Sequence, residues 1–336
     1  MWKGVYFKWN VISGILFLFL FCFKGGTANK WIIYKKEDGL PNNFVHSIVV
    51  DRENVWIGTD EGIGRYNKKE KKWDIILQVG GKLKYNFINV LAIDGDNLWI
   101  GTPDRADHPI IRYNIKKDEW VVYKGIGSDG INTICVDEDS VYIGGCDWIP
   151  LDKNCTFGQY SKISDNMVYV SPVFEFNAPS EYITCIVVDK NNLWIGTDKG
   201  LTRYDKKENK WENYTKNDGL LDNLITSLAI DKNLLWIGTF FGVSCYDIEK
   251  KIWTNFTEKE GLVNNWVFCI GVDGEDVWFG TYKGISRYNK KTKKWENYTM
   301  EDGLSCNQIY SIAVDEDSVW FGTEDGGVCR YLKRKR

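Results

Sequence analysis

Hydrophobic and polar residues alternate along short stretches of the chain from Trp31 onward. In residues 45–77 the stretches VHSIVVD, VWIGT, GIGRYN and WDIIL follow one another, and short polar linkers separate them. Alternation with a period of two is typical of β-strands, and linkers containing Gly, Asn and Asp are typical of tight turns. This part of the chain is therefore predicted to form four short antiparallel strands.

The group of four strands recurs along the chain. The aromatic residue at the centre of its second strand is found at Trp56, Trp99, Tyr142, Trp194, Trp236, Trp278 and Trp320, with spacings of 43, 43, 52, 42, 42 and 42 residues. Four strands in about 42 residues is the size of a β-propeller blade. The sequence thus predicts an all-β fold over residues 29–336, a seven-bladed β-propeller with four-stranded antiparallel blades.

The two ends of the repeat array predict how the ring closes. Residues 31–40, WIIYKKEDGL, match the fourth strand and following loop of later copies such as WENYTKNDGL, whereas the last copy stops after its third strand, GVCRYL. Pairing these segments would remove the exposed strand edge of an open array. We therefore expect the N-terminal strand to complete the last blade.

Two features that recur in the copies predict the packing. An Asp precedes each central aromatic by five residues, at Asp51, Asp94, Asp137, Asp189, Asp231, Asp273 and Asp315. We interpret it as a cap that accepts backbone N–H groups in the turn between the first two strands.

The first strand carries small residues such as Ser47, Ala229 and Gly271. The bulky aromatic residue is expected to fill the space between neighbouring blades.

The first 28 residues differ from the rest of the chain. Lys3 and Lys8 precede a 13-residue apolar run from Val11 to Phe23, and the small residues Gly-Gly-Thr-Ala end the segment. Because this run is shorter than the roughly 20 residues that span a bilayer, we interpret residues 1–28 as a signal peptide. The protein is therefore expected to be exported and to be periplasmic, exposed on the cell surface or secreted.

Charge and cysteine content narrow the function classes. Removing residues 1–28 removes three lysines and no acid, so the formal charge falls from -3 to -6, and nucleic acid is a poor partner.

Eight cysteines would remain without any CxxC zinc pattern, and five of them lie in predicted strands, at Cys135, Cys185, Cys245, Cys269 and Cys329. Cys146 and Cys155 bracket an insertion and are the candidate disulfide. We expect a monomer without cofactor or metal.

The repeat resembles the two-component regulator propeller. The resemblance is carried by EDGLPNNFVHSIVVDRENVWIGTDEGIGRY at residues 37–66 and by EDGLSCNQIYSIAVDEDSVWFGTEDGG at residues 301–327. It implies the extracytoplasmic sensor of a membrane histidine kinase, often one that responds to carbohydrate fragments. No kinase pattern follows Arg336. We therefore expect either a free-standing binding module or one that works through a sensor kinase or another envelope protein.

A ligand is expected on the face that carries the loops between blades and the loops between second and third strands. One candidate feature is a ring of polar residues eight positions before the recurring Asp: Asn43, Asn86, Asp129, Glu181, Asn223, Asn265 and Asn307. They either meet a ligand or cap their own loops. The second feature is a set of aromatic residues where other copies carry small or charged ones: Phe240, Phe241, Trp266, Phe268, Tyr282 and Tyr310. They either stack on a sugar or pack between blades.

Two further functions stay open on the sequence. His46 and His108 are the two histidines, and both fall on the expected ligand face near acidic residues. They would serve as an acid/base pair in a lyase or hydrolase. A scaffold that binds another exported protein is the third possibility. The leading interpretation is a non-catalytic binding or sensor propeller for an extracellular small molecule or saccharide.

Overall fold

The computed structural model describes residues 30–76, 86–103, 110–123, 130–145, 156–170, 180 and 182–333. Over these residues the chain forms seven four-stranded antiparallel sheets, and each sheet is one blade. The first strand of each blade contacts the first strands of its neighbours, so these strands surround the central channel. The predicted seven-bladed β-propeller is confirmed.

The strands of blades 1–4 follow in chain order. Blade 1 contains β2 (Val45–Val50), β3 (Asn54–Thr59), β4 (Gly62–Asn67) and β5 (Lys72–Ile76). Blade 2 contains β6 (Val90–Asp94), β7 (Asn97–Gly101), β8 (Ile110–Asn114) and β9 (Glu119–Tyr123). Blade 3 contains β10 (Ile131–Val136), β11 (Ser140–Gly145), β12 (Thr156–Ser161) and β13 (Asn166–Val170). Blade 4 contains β14 (Ile183–Val188), β15 (Asn192–Thr197), β16 (Leu201–Asp205) and β17 (Lys210–Tyr214).

Blades 5 and 6 continue this order, and blade 7 combines the two ends of the chain. Blade 5 contains β18 (Ile225–Asp231), β19 (Leu234–Thr239), β20 (Gly242–Asp247) and β21 (Ile252–Phe256). Blade 6 contains β22 (Val267–Asp273), β23 (Asp276–Thr281), β24 (Gly284–Asn289) and β25 (Lys294–Tyr298). Blade 7 contains β26 (Ile309–Val314), β27 (Ser318–Thr323), β28 (Val328–Leu332) and, as its outer strand, β1 (Trp31–Tyr34).

Helices are short in this fold. The described residues contain three 3-10 turns, Lys36–Asp38, Lys216–Asp218 and Met300–Asp302, in the loops that enter blades 1, 5 and 7. None of these turns has the length or hydrophobicity to cross a membrane. The expected signal peptide, residues 1–28, and the candidate pair Cys146 and Cys155 lie outside the described residues.

The ring closes through β1, as predicted. This strand pairs antiparallel with β28, with Trp31 opposite Tyr331 and Tyr34 opposite Val328. Trp31 is buried, and its ring lies 5.2 Å from that of Tyr331. The outer edge of the last blade is thus supplied by the beginning of the described chain, which removes the open end of the array.

The recurring aromatic residues form the contacts between blades. All six Trp residues at this position are buried, and Tyr142 is also buried. Each ring reaches into the next blade: Trp320 of blade 7 lies 5.4 Å from Tyr66 of blade 1, and Trp194 of blade 4 lies 6.1 Å from Tyr246 of blade 5. A buried Trp removes roughly 150 to 250 Å² from water, so these rings contribute much of the adhesion between blades.

The recurring Asp has two roles, of which the sequence predicted one. Asp51 and Asp189 cap their own turns, for example through the bond from the Asn54 backbone N–H to Asp51 Oδ1 at 2.6 Å. Asp137 and Asp315 also accept a backbone N–H of their own turn. At five blade contacts in the described residues, the recurring carboxylate pairs with a lysine of the next blade: Lys68–Asp315, Lys162–Asp94, Lys206–Asp137, Lys290–Asp231 and Lys333–Asp273. The turn-cap prediction was therefore incomplete.

The strand cysteines are packed side chains, as expected. Cys135, Cys185, Cys245, Cys269 and Cys329 all lie in strands. Burial raises the pKa of the Cys135, Cys185 and Cys245 thiols to about 12. Thiols held protonated in this way behave as small hydrophobic groups.

Candidate functional site

A β-bulge at the start of the first strand shapes one mouth of the channel. In blade 1, Val45 pairs with Thr59 and Ser47 pairs with Gly58, so His46 between them is left without a partner. The same shift occurs in five other blades, and Asn89 holds the equivalent place in blade 2. A bulge redirects the side chain of its extra residue. We call the set the bulge positions: His46, Asn89, Asn132, Thr184, Thr226, Phe268 and Tyr310.

A second set of positions follows the Thr that ends the second strand. The hydroxyl of Thr239 donates to the Gly242 carbonyl at 2.9 Å and closes the turn, in which Gly242 has a φ of 129°. Only glycine adopts such a φ without strain. The first residue of the turn faces the channel mouth. We call these residues the turn positions, which in the described residues are Asp60, Pro103, Asp198, Phe240, Tyr282 and Glu324.

Direct contacts show that the bulge and turn positions share one face. The Nε2 atom of His46 lies 2.6 Å from the Asp60 Oδ1 atom. The Tyr282 backbone N–H donates to the Trp266 carbonyl at 3.1 Å. The loops between blades and the loops between second and third strands therefore meet on the face where the sequence placed a ligand.

Eight rings form a continuous series on one side of this face. In order they are Tyr282, Trp266, Phe240, Phe268, Tyr310, Phe44, His46 and Phe87, with centroid separations of 5.2, 5.7, 6.0, 4.9, 5.4, 4.3 and 4.5 Å. We call this series the aromatic arc. It runs from blade 5 through blades 6 and 7 to blades 1 and 2.

The arc contains five of the six aromatic residues that the sequence selected. The sixth, Phe241, lies beside it and is 59% exposed, with the Lys216 Nζ atom 5.7 Å from its ring centroid. Trp266 is 51% exposed and Tyr282 is 40% exposed. Since large apolar side chains are usually covered, these three rings form the accessible surface of the site.

The candidate asparagines form hydrogen bonds within the loops that enter the blades. Their side-chain carbonyl oxygens accept the backbone N–H seven residues earlier, at 2.8 Å, in the pairs Asn223–Lys216, Asn265–Glu258 and Asn307–Met300. Asn43 accepts from Lys36 in the same way. These oxygens hold the loops that enter the blades, which matches the loop-cap alternative. Asp129 and Glu181 lie outside the described residues.

His46 is held tightly at one end of the arc. Its ring lies between Phe44 and Phe87, and its side chain is 13% exposed. Its expected partner His108 lies outside the described residues. Within the described part of the chain, no group of three or more His, Cys, Asp and Glu residues is placed to hold a metal ion.

Sequence reasoning did not select Phe44 and Phe87 as members of the site. The signal was present, because Phe44 and Phe87 stand seven residues before their Asp, at the position of Trp266. Asp60, one of the acidic residues expected near His46, holds the same turn position as Phe240 and Tyr282.

The bulge positions of blades 2 to 5 carry the polar residues Asn89, Asn132, Thr184 and Thr226, and we call these positions the polar side of the mouth. The Asn89 Nδ2 atom donates to the Ile131 carbonyl at 2.7 Å, and the Thr226 hydroxyl donates to the Val267 carbonyl at 2.6 Å. Both bonds cross from one blade to the next. The bulge residues of blades 2 and 5 thus hold neighbouring blades together at the channel mouth.

A separate polar cavity of about 160 Å³ lies on blade 6, away from the channel face. Its lining residues are Asp276, Arg287, Asn289, Thr292, Lys294 and Glu296. Arg287 donates to Asp276 at 2.6 Å and to Glu296 at 3.3 Å. Because its main charges already neutralise each other, we assign no function to this cavity.

These features define a seven-bladed β-propeller whose channel mouth carries an aromatic side and a polar side. A family model described as "Two component regulator propeller" matches residues 39–61, 177–199 and 303–325, which begin at the loops entering blades 1, 4 and 7. The chain therefore carries two-component regulator propeller repeats, and the resemblance is confirmed. No curated protein is significantly similar to the chain in sequence.

Solved structures share the fold. Two structures of an extracellular domain of BT4673 from B. thetaiotaomicron, one described as part of a putative one component system and the other of a putative hybrid two component system, are each 21% identical with a TM-score of 0.73, over 90% and 91% of this chain. Only 40% of each structure is covered, so the chain spans less than half of its length. Virginiamycin B lyase from Staphylococcus aureus is 16% identical with a TM-score of 0.69, over 90% of this chain and 98% of the lyase.

Proposed function

We propose that this propeller is a non-catalytic ligand-binding module of an exported sensor. The observation that carries the proposal is the grouping of three exposed rings, Phe241, Trp266 and Tyr282, on one side of the channel face. Exposed apolar groups collected at the mouth of a concave face are typical of binding sites. The family repeats and the likeness to an extracellular sensor domain support the same function.

We infer a saccharide as the ligand. Sugar rings present flat C–H faces that pack on aromatic rings, and their hydroxyls need polar partners at the edge. The Trp266 and Tyr282 rings lie 5.2 Å apart and are tilted by 54°, so a bound sugar would contact two surfaces at once. Phe240, Phe268 and Tyr310 behind them are partly buried and fix the floor of the site.

The module is proposed to act outside the cytoplasm as a monomer. The two similar domains are described as extracellular parts of one-component and two-component systems. By analogy, ligand binding here would be reported through a membrane sensor kinase or another envelope protein. Pull-down from the envelope with and without the bound ligand would identify that partner.

A glycan array followed by calorimetry tests the binding function. Trp266→Ala and Phe241→Ala should each weaken binding of an identified glycan by roughly five- to tenfold, because each removes a stacking surface worth about 1 to 1.5 kcal/mol. Ile252→Ala on the outer strand of blade 5 is the matched control, since Ile252 is 55% exposed and distant from the arc. Absence of any bound glycan, or affinities indifferent to both aromatic changes, would refute the proposal.

A lyase is the second candidate, and the contact that favours it is the one between His46 and Asp60. A carboxylate 2.6 Å from an imidazole can orient it for proton transfer. The likeness to virginiamycin B lyase shows a shared fold. Turnover of a substrate by the protein that disappears in His46→Ala, while ligand affinity is retained, would establish the lyase; equal turnover in both proteins would exclude a role for His46.

A further inference from the structure

The residues at the bulge and turn positions carry negative charge without matching positive charge. In the described residues these two sets contain three carboxylates, at Asp60, Asp198 and Glu324, and neither lysine nor arginine. The Asp60 carboxylate is bonded to His46. The Asp198 and Glu324 carboxylates make no hydrogen bond to any described residue, and the Asp198 Oδ1 atom is buried. The partly buried Glu324 carboxylate, which has no such partner, is free to accept hydrogen bonds from a ligand.

Glu324 is next to the aromatic arc. Its backbone N–H donates to the Gln308 carbonyl at 3.2 Å, which places the turn of blade 7 above the start of β26. Burial and the charge of Glu324, with a smaller effect of Tyr282, raise the pKa of the Tyr310 phenol. The Tyr310 ring itself stacks on Phe268 at 4.9 Å. A negative charge therefore lies beside the rings that form the site.

Acidic and basic residues are equally numerous at the next position of the described turns. The residues that directly follow Asp60, Asp198, Tyr282 and Glu324 are two acids and two bases: Glu61, Lys199, Lys283 and Asp325. Lys36 is bonded to Glu61 at 2.6 Å, and Lys216 lies over the Phe241 ring. The positions next to the channel stay acidic while the positions outside them are balanced.

We propose that the ligand presents an ammonium group beside a ring face, as an amino sugar does. This inference rests on the binding function proposed above and specifies its ligand. The ring would pack on Trp266 and Tyr282, and the ammonium group would point to Glu324. An ammonium group is stabilised both by the faces of aromatic rings and by a carboxylate that accepts hydrogen bonds from its N–H groups. A carboxylate on the ligand would instead be repelled.

Three sugar trimers of different charge test the proposal by calorimetry at mildly acidic pH. They are trimers of glucosamine, N-acetylglucosamine and galacturonate, which are cationic, neutral and anionic. The glucosamine trimer should bind roughly tenfold tighter than the neutral one, with the preference reduced at high salt. Glu324→Gln should remove this preference, so that the cationic and neutral trimers bind with equal affinity. Glu249→Gln removes one negative charge from an exposed outer hairpin of blade 5. This control should keep the preference for the glucosamine trimer.

The outcomes separate the two proposals. Equal affinities for the cationic and neutral trimers, or tighter binding of galacturonate, would overturn the ammonium ligand while saccharide binding stands. A preference retained in Glu324→Gln would also overturn it. If none of the three trimers binds and the glycan array is empty, the binding function fails and the inference fails with it.

Discussion

The two sides of the channel mouth use the same backbone for different purposes. Blades 2 and 5 place Asn89 and Thr226 at the bulge and use them to bond the next blade. Blades 6 and 7 place Phe268 and Tyr310 at the same position, where the rings stack on each other at 4.9 Å. The repeat therefore determines where the side chain points, and the residue type determines whether it joins blades or forms a surface.

The comparison also separates two kinds of stabilisation. A hydrogen bond across a blade contact contributes about 1 kcal/mol, whereas a partly buried aromatic ring contributes more through the apolar area that it covers. On the aromatic side, ring contacts between blades add to hydrogen bonds such as the one from Cys269 Sγ to the Ile309 carbonyl at 3.4 Å. The outermost rings of this side are available to solvent and to a ligand.

The largest effect on the free energy of unfolding is expected from removing a ring on the aromatic side. Phe268→Ala should lower the free energy of unfolding by about 2 to 3 kcal/mol, because it removes the ring between Tyr310 and Phe240. Thr226→Ala, at the same bulge position one blade earlier, should cost about 1 kcal/mol. Denaturant unfolding followed by Trp fluorescence measures both. Equal costs, or a larger cost for Thr226, would contradict the division of the mouth into two sides.

The polar side is tested by Asn89→Ala. This change should cost about 1 to 2 kcal/mol, since it leaves the Ile131 carbonyl without its donor. Asn191→Ala, in an exposed turn of blade 4, should stay within about 0.5 kcal/mol of the unchanged protein. Ligand affinity should be the same in both variants. A weaker ligand affinity in Asn89→Ala would mean that the polar side also binds.

The smallest effect is expected on the opposite face of the ring. Lys206→Met removes the ion pair with Asp137 between blades 3 and 4 and should cost about 1 kcal/mol or less, with the difference shrinking at high salt. The exposed Lys117→Met is the control for loss of one charge. Thermal unfolding at two salt concentrations measures the effect. A difference that persists at high salt would show that packing of the lysine stem, and not its charge, joins these blades.

The repeat made the fold predictable, because each prediction could be checked in seven copies. The Trp56 position and the four strands of each blade follow from spacing and alternation, which are local properties of the chain. The closing role of Trp31 follows from comparing the two ends of the repeat array. The structure confirms all three predictions.

Contacts between copies were harder to predict. Lys206 pairs with Asp137 of the preceding blade, and nothing within a single copy indicates that neighbour. The site was found in part, because Trp266 and Tyr282 departed visibly from the repeat. Phe44 escaped notice as a stacking partner, since its contact with Tyr310 requires the ring to have brought blades 7 and 1 together.

The pairing of β1 with β28 has a consequence for synthesis. β1 leaves the ribosome before any blade is made, yet its partner follows only after almost the whole described chain. At roughly 5 to 20 residues per second, the strand waits for tens of seconds. A stalled nascent chain would therefore expose the apolar strand Trp31–Tyr34 to chaperones and proteases.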